Sequence, residues 1–425
     1  MKDIGVYYNG QDIGRLAYDE KTDKSFFQYN PAFLQEDNYK PLFPFLLKKT
    51  KTVQVFTTFN GDTFKGIPPM FADSLPDLFG NVVFKEWMNA NDKTSVSPVE
   101  QLAYVGSRGM GALEYRPSKA FSKRFENSVN IEEMTELSKR ILDIKNELST
   151  EGLSHESLLN MFRIGTSAGG ARPKILVSEE KATGRLIPGD VNYADDYNHY
   201  LIKLAIDSSY PAEIIEYCYY DFALSLGIDM QSSKLIDGKH FCTLRFDREN
   251  GKKKHVLTAS GLTGWDFKKA ENSSYENLFM LSTRLRVPHV QIESLFKRMV
   301  FNVVFLNVDD HLKNHSFIYN DSTRKWNLAP AYDVTFALNP LLHIKKINRA
   351  LSINGKTNDI LIGDLLTIAD TYAIKNAKNI IESTLQSLPN LKRILENNKV
   401  PSRIINAICG SIDLNISILL AQKKG

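Results

Sequence analysis

Val308-Asp309-Asp310-His311-Leu312-Lys313-Asn314-His315 is the stretch on which the reading of this chain turns. It follows a mostly apolar run, Leu295 to Leu306, whose composition predicts a largely buried helix. Asp and Asn are common in surface loops, but so dense a run of polar and charged positions at the mouth of a buried helix calls for a chemical reason. An aspartate can accept a proton, and an asparagine oxygen can hold a hard cation.

Asp309 and Asn314 have the D-x-x-x-x-N spacing of a kinase catalytic loop, in which the aspartate accepts the proton of a substrate hydroxyl and the asparagine holds magnesium. Three further segments lie outward from this loop. Downstream, Ala331-Tyr332-Asp333-Val334 places Asp333 24 residues after Asp309, with room for a hairpin between them, and makes it the candidate second metal ligand. Upstream, Tyr200-Leu201-Ile202-Lys203 reads as a short strand ending in lysine, the pattern that sets an ammonium against α/β-phosphates. Glu213 or Glu216, on a predicted helix with Tyr217, Tyr220 and Leu224, offers that lysine a carboxylate, and the other glutamate is expected on the solvated face. Further upstream, Gly165-Thr166-Ser167-Ala168-Gly169-Gly170-Ala171-Arg172-Pro173-Lys174 combines small residues, which let backbone N–H groups approach phosphate oxygens, with nearby cations. A Gly-rich turn or a turn aspartate alone signifies little. Loop, lysine, base and metal ligand in chain order reinforce one another.

Composition sets the frame. The 425 residues are 43% hydrophobic and 24% charged, which excludes disordered, collagen-like and disulfide-scaffold classes. The formal charge of +4 falls short of what a protein built mainly to neutralise nucleic-acid phosphates would carry. Cys218, Cys242 and Cys409 are odd in number and widely spaced, without zinc-ligand spacing, as expected of a reducing, cytoplasmic compartment. The longest apolar stretch, Met299–Val308, is interrupted by Asn302 and Asn307 and is too short for a spanning helix, so no membrane segment is expected. Met1-Lys2-Asp3-Ile4-Gly5 does not read as a signal peptide.

Asn9-Gly10 between two short apolar runs predicts a tight hairpin, and Asn60-Gly61 repeats the signal after Val53–Phe56. Ile131, Met134, Leu137, Ile141, Ile144 and Leu148 step as one face of a helix, which Asn130 and Glu133 would cap. Lys252-Lys253-Lys254 reads as a solvated hairpin tip, and the Thr258–Phe267 segment as packing or an activation-type loop. From Ala377 onward, Ile380, Ile381, Leu385, Ile404, Ile408 and Ile418 mark amphipathic core helices. The expected division is a strand-rich N-terminal subdomain (1–150), a mixed lobe with the phosphate loop (151–248) and a helical lobe with the catalytic loop (249–425).

Gly169-Gly170-Ala171-Arg172-Pro173-Lys174, Leu201-Ile202-Lys203, Arg245-Phe246-Asp247-Arg248, Asp309–Asn314 and Tyr332-Asp333 together resemble the HipA family of bacterial serine/threonine kinases. Leu75-Pro76-Asp77 and Tyr104–Leu113 extend the resemblance to nearly the whole chain. It implies an α+β, two-lobed protein-kinase-like fold with a small strand-rich N-terminal subdomain, binding ATP and Mg2+. Asp309 would be the proton acceptor, Asn314 and Asp333 the metal ligands, and Lys203 the phosphate-binding lysine. Gly169, Gly170, Ala171, Arg172 and Lys174 would form the phosphate loop, and Leu244-Arg245-Phe246 would meet adenine through its backbone. Asp247 would sit near the ribose, with His311, Lys313 and Tyr332 lining the nucleotide site. The family's autophosphorylated loop serine falls on Ser167, where a phosphate would add roughly −2 charge beside ATP.

The resemblance further implies a toxin role with a HipB-like helix-turn-helix antitoxin, DNA reached mainly through that antitoxin, and a translation-factor substrate such as glutamyl-tRNA synthetase. Two other readings of the same residues are a catalytically weak kinase-fold co-repressor and a small-molecule kinase.

Overall fold

Asn9 and Gly10, both at positive φ (47° and 81°), fold β1 (Lys2–Tyr8) back onto β2 (Gln11–Asp19). The Asn-Gly hairpin therefore forms where the sequence placed it. With β3 (Lys24–Tyr29), β4 (Gln54–Phe56) and β5 (Leu113–Arg116) these strands make an antiparallel sheet in the order β4-β3-β2-β1-β5. Ile4, Val6 and Tyr8 alternate onto its buried face, joined by Leu16, Phe27, Tyr29 and Tyr115. Asn60-Gly61 does not repeat the hairpin. Gly61 accepts a hydrogen bond from Lys65 N–H in a local turn, because Asp62 to Pro69 supplies no alternating run that could pair as a strand.

The computed structural model describes residues 1–76, 81, 84, 85, 88, 95–118, 128–145, 172–189, 194–207, 209–338 and 347–421. Two compact units emerge: Met1–Ser208 with Cys242–Gly264 and Ile318–Arg324, and Ser209–Phe241 with Trp265–Phe317 and Lys325–Gly425.

In the first unit, α1 (Pro69–Ala72) is buried and α2 (Pro98–Val105) packs on β1, β2 and β5. Ser97 and Glu100 close a reciprocal capping box on α2. α3 (Ile131–Lys145) buries Ile131, Met134, Leu137 and Ile141, and Asn130 Oδ1 accepts from Glu132 and Glu133 N–H. The expected last turn of this helix, through Leu148, lies outside the described residues, as do Asp77 and the loop residues 165–171. A second sheet runs β7 (Leu186–Pro188), β6 (Lys174–Glu180), β8 (Tyr197–Lys203).

Asp247 ties this second sheet to the first. Its Oδ1 accepts from Arg245 Nε (2.9 Å), and its Oδ2 from Arg245 Nη2 (2.8 Å), Arg248 Nη1 (2.7 Å) and Gly111 N–H (2.8 Å). The same guanidiniums donate to Gly109 and Gly111 carbonyls, so the 109–111 turn is grasped from both sides. Gly111 stands at φ 78° with Val256 main chain where a Cβ would lie, at 2.9–3.0 Å, so only glycine fits. Burial alone would raise the Asp247 pKa, but Arg245 and Arg248 more than offset it and hold the carboxyl well below the usual carboxylate range.

Nearby, β11 (Arg248–Glu249) and β12 (Lys252–Lys253) form a small hairpin leading to β13 (His255–Thr258) and α5 (Ala259–Thr263). Lys253 is not solvated: it is buried, with Nζ on Glu114 Oε1 (2.8 Å) and Ser107 O (2.7 Å). The lysine run is split by strand alternation, which turns its middle member inward. His255 is fully buried and donates from Nε2 to Leu42 O (3.1 Å). Asp73 accepts from Thr258 N–H and Oγ1, and Thr258 in turn caps α5 at Gly261 N–H. Asp321 joins Tyr8 (2.6 Å) and Lys40 (2.7 Å), tying residues 318–324 to the N-terminal sheet.

The second unit is helical. It contains α4 (Ala212–Ser225), strand β9 (Ser233–Ile236) and the start of β10 (His240–Leu244), followed by α6 (Tyr275–Arg284) and α7 (His289–Val304). After β14 (Ser316–Asn320) and β15 (Lys325–Leu328) come α8 (Ile362–Thr371), α9 (Ala377–Leu385), α10 (Leu388–Asn397) and α11 (Ser402–Leu420). α7 is the central rod, packed by α6, α9 and α11. By length and composition α11 is the one helix among the described residues long and apolar enough to cross a membrane, a test that a core helix also passes. Here it lies against α7 and α10, burying Ile404, Ile405, Ile408, Ile412 and Leu419, with Asn415 Nδ2 on the Val303 and Val304 carbonyls.

Asp247→Ala would leave two buried guanidiniums without their anion, which costs about 3–5 kcal/mol for a broken buried pair. Urea denaturation should show that loss, whereas Lys254→Ala, which breaks the exposed pair with Glu249, should leave the midpoint nearly unchanged.

Candidate functional site

α7 delivers the Asp309 loop. Its buried face, Ile292, Leu295, Phe296, Met299, Val300 and Val303, fixes the helix, and Phe305 caps it. Leu306 then turns the chain at φ 57°, a left-handed conformation unusual for a bulky side chain, and residues 309–314 emerge as loop and a 3-10 turn. Two adjacent aspartates meet opposite environments: the Asp309 side chain is 71% exposed and the Asp310 side chain 0%.

Hydrogen bonds hold the loop from within. Asn314 Nδ2 donates to Asp309 O (2.9 Å), which turns the amide oxygen Oδ1 away as the atom able to ligate a cation. His315 Nε2 donates to Asp310 O (3.2 Å). His311 Nε2 lies 4.0 Å from Asp309 Oδ1. The Phe267 ring packs at 4.9 Å from the His311 ring and beneath the Lys313 ammonium (5.4 Å), so this end of the Thr258–Phe267 segment is a support for the loop.

Tyr332 joins the loop to the Asp333 turn. Its hydroxyl donates to Lys313 O (2.7 Å) and, having one proton, accepts from Ser316 Oγ (2.5 Å). Ala331 N–H donates to Asp229 O (2.8 Å) and pins the same turn from the other side. Asp333 itself sits at φ 56°, a conformation that aspartate tolerates better than most residues. Asn314, Tyr332 and Asp333 thus belong to one braced assembly in the second unit.

These donors fit magnesium. Mg2+ is commonly held through one or two carboxylates and the substrate's phosphates rather than by a protein cage, and Asn314 Oδ1 and the Asp333 carboxylate are hard oxygen ligands. Among the described residues there is no cluster of three or more His, Cys, Asp or Glu of the kind that holds zinc.

In the first unit, Lys174 and Lys203 are direct register partners across β6 and β8, so both side chains leave the same face of the sheet. Both are buried. Like charges opposite one another are unfavourable unless anionic groups meet them. Arg172 is exposed just before β6. Gly169, Gly170, Ala171 and Ser167 lie outside the described residues.

Leu244 ends β10 and Phe246 is half-buried in the turn that follows. Arg245 N–H donates to His199 O (2.8 Å), and the Arg245 guanidinium and the Asp247 carboxylate are engaged with protein groups as described. The contacts seen at Arg245 and Asp247 are therefore those of an internal clamp. In α4 both Glu213 and Glu216 are buried (5% and 3% exposed), so neither is on a solvated face, and Leu224 is exposed instead. The buried stripe runs through Ile215, Cys218, Tyr219 and Phe222, which rotates the helix away from the Tyr217–Leu224 face.

Sequence reasoning missed the groups that brace the loop: Asp310, Tyr275, Arg349, Asn302 and Asn307. The two asparagines did leave a signal, as polar breaks in the apolar run of α7 and its exit. Arg349 and Tyr275 left none.

Comparison with known proteins now places the chain. Residues 166–391 match the model of the HipA-like C-terminal domain, and residues 4–116 that of the HipA N-terminal domain. This chain belongs to the HipA family. No curated protein matches it in sequence. Among solved structures it is similar to HipA of Shewanella oneidensis MR-1, from a complex of HipA, HipB and operator DNA, at 15% identity and TM-score 0.66, covering 98% of this chain and 96% of that one. A fainter likeness, 14% identity and TM-score 0.40 over 59% of this chain and 90% of the other, is to the Helicobacter pylori proinflammatory kinase CtkA and is too distant to bear on function. The fold is thus the kinase-like α+β fold of HipA.

Three buried histidines make a pH prediction. Burial, then Arg245 and Arg248, push the His199 pKa down to about 4; burial pushes His255 to about 4 and, with Arg298, His315 to about 3. Below about 6.5 the unfolded imidazoles take protons that the folded ones refuse, so stability is complete above that pH and falls on acidification, by up to roughly 1.4 kcal/mol per pH unit for each histidine. Urea midpoints should decline from pH 6.5 to 4.5, and His255→Gln should flatten the decline. A flat wild-type profile would contradict it.

Proposed function

We propose that this chain is an ATP-dependent serine/threonine protein kinase that acts as the toxin of a type II toxin–antitoxin pair. The observation that carries the reading is the Asp309 loop: an exposed carboxylate on a rigid loop, with Asn314 anchored to its main chain and the Asp333 turn joined to it through Tyr332. Membership of the HipA family and the Shewanella HipA fold support it.

Bound Mg2+–ATP supplies the phosphoryl group and metal charge that spreads the negative charge of the transferring oxygens. Asn314 Oδ1 and the Asp333 carboxylate hold the metal. Lys203 and Lys174 neutralise phosphate oxygens, with Arg172, Gly169, Gly170 and Ala171 as the loop around them and His311 and Lys313 beside the triphosphate. Main chain at Leu244–Phe246 meets the adenine. Asp309 takes the proton from a serine or threonine hydroxyl as its oxygen forms the new bond to the γ-phosphorus and the bond to the bridging oxygen breaks. Autophosphorylation at Ser167 places a dianion in the phosphate loop and silences transfer.

The division into residues 1–150, 151–248 and 249–425 is part of the same proposal, as are a cytoplasmic location and a translation factor, glutamyl-tRNA synthetase among the candidates, as substrate. The partner is a HipB-like helix-turn-helix antitoxin that carries the contact with operator DNA. The Shewanella HipA is in such a complex. One observation favours a second reading, a catalytically weak co-repressor: the Asp247 carboxylate, assigned to the ribose by resemblance, is engaged in the clamp on residues 109–111.

Incubating the purified protein with γ-labelled ATP and Mg2+, then locating phosphate by mass spectrometry, tests both. Self-labelling at Ser167 is expected, and Asp309→Ala should lower transfer by about 10²–10⁴-fold. Undiminished labelling by Asp309→Ala would sink the assignment of the base. Tight ATP binding by the wild type without transfer to itself or to any protein in a lysate would favour the co-repressor.

A further inference from the structure

Asp310, adjacent to the candidate base, has no water-facing surface on its side chain. Its Oδ2 accepts from Tyr275 OH (2.6 Å) and Arg349 Nη2 (3.1 Å), and its Oδ1 from Leu351 N–H (3.3 Å). The chain of donors extends further: Asn307 Nδ2 donates to Asn302 Oδ1 (3.0 Å), Asn302 Nδ2 to Tyr275 OH (3.0 Å), and Tyr275 to Asp310. Every link points the same way and ends on the carboxylate, so each bond polarises the next. Burial and the Asp310 charge keep the Tyr275 pKa well above its ordinary value, so the phenol remains a donor.

The network reaches the loop from three elements. Tyr275 is the first residue of α6, and Asn302 lies in the last turn of α7. Arg349 and Leu351 belong to a segment whose Ala350 N–H also donates to Val308 O (2.8 Å) and whose Ser352 pairs with Ser273 and Tyr275 main chain. The main chain at Asp310 is therefore held by the buried carboxylate and by His315 on the Asp310 carbonyl, and Asn314 Nδ2 holds the Asp309 carbonyl of the peptide before it.

We propose that Asp310, gripped by Tyr275 and Arg349, is the positioning residue of the Asp309 loop: its buried carboxylate fixes the main chain from which the base projects and makes the aim of Asp309 depend on the docking of residues 349–352. The kinetic part of this proposal rests on the phosphoryl-transfer reading of Asp309; the structural part rests on the geometry alone. Asp310 cannot exchange roles with its neighbour, because its oxygens are already met by three protein donors and no substrate hydroxyl reaches it.

Asp310→Ala would strand the buried Arg349 guanidinium, which makes it a poor probe of position apart from folding. Tyr275→Phe keeps the ring and removes the hydroxyl that donates to Asp310 and accepts from Asn302, and Arg349→Lys keeps the charge and removes the planar fork. Each is measured two ways in the full chain: hydrogen–deuterium exchange of peptides covering residues 307–316, and steady-state phosphoryl transfer with ATP affinity measured separately. The expected result is faster exchange in 307–316 with α7 unchanged, kcat reduced roughly ten- to a hundredfold by misplacement of the base, and ATP affinity within about twofold of wild type. Unchanged exchange in 307–316 overturns the proposal whatever the activity. Looser exchange with unchanged kcat overturns the positioning role while leaving the kinase reading intact. Looser exchange in a wild-type background that transfers no phosphate upholds the structural anchor and rejects the kinase reading.

Discussion

A carboxylate taken out of water must be met by donors, and both units of this chain are organised around one that is. In the first unit Asp247 is surrounded by Arg245, Arg248 and Gly111, and through them it fastens the 109–111 turn beside β13. In the second unit Asp310 gathers Tyr275, Arg349 and Leu351. Neither cluster adds much net stability over a well-packed apolar alternative, because desolvating the charges offsets most of their attraction. Their value is geometric: a guanidinium and a carboxylate satisfy each other only in one arrangement, so the main chains that carry them are fixed in place.

That fixing is what the proposed phosphoryl transfer would require, since little covalent chemistry is left for the protein beyond placing charges. The Asp309 loop illustrates the division of labour. The exposed aspartate faces solvent, while Asn314, His315, Tyr332 and Asp310 secure every neighbouring part of the main chain. Phe267 supports the His311 ring and the Lys313 ammonium of the same loop. The site is thus a mobile-looking polar stretch held by a rigid buried scaffold, which reconciles a surface loop with precise aim.

Much of this was legible in the sequence. Asn9-Gly10, the Tyr200–Lys203 strand ending in lysine, the Ile131 helix with its Asn130 cap and the α7 rod leading into the polar run all follow from local rules of turn chemistry and periodicity. Where local rules failed, long-range pairing had intervened. Lys253 reads as one of three solvated lysines, yet Glu114, far away in sequence, draws it inward. One of Glu213 and Glu216 reads as a solvated helix-face residue, but both are buried, because the buried stripe of α4 is set by what packs on it. Asn60-Gly61 carries a hairpin signal without a second strand to use it.

The sequence by itself determined the order of the candidate groups, Lys203, then Asp309 and Asn314, then Asp333, at spacings that survive without knowledge of the fold, because motif spacing is a property of the chain. It could not show that the Asp309 side chain is exposed and its neighbour Asp310 buried, nor that Asn302 and Asn307, apparent interruptions of an apolar helix, are links to the loop. Only the tertiary structure decided those, because burial and hydrogen-bond partners are contributed by residues such as Tyr275 and Arg349 that lie tens of positions away along the chain. The same reason separates Asp247's two identities: a ribose contact by resemblance, and a clamp once Gly109 and Gly111 are brought against it.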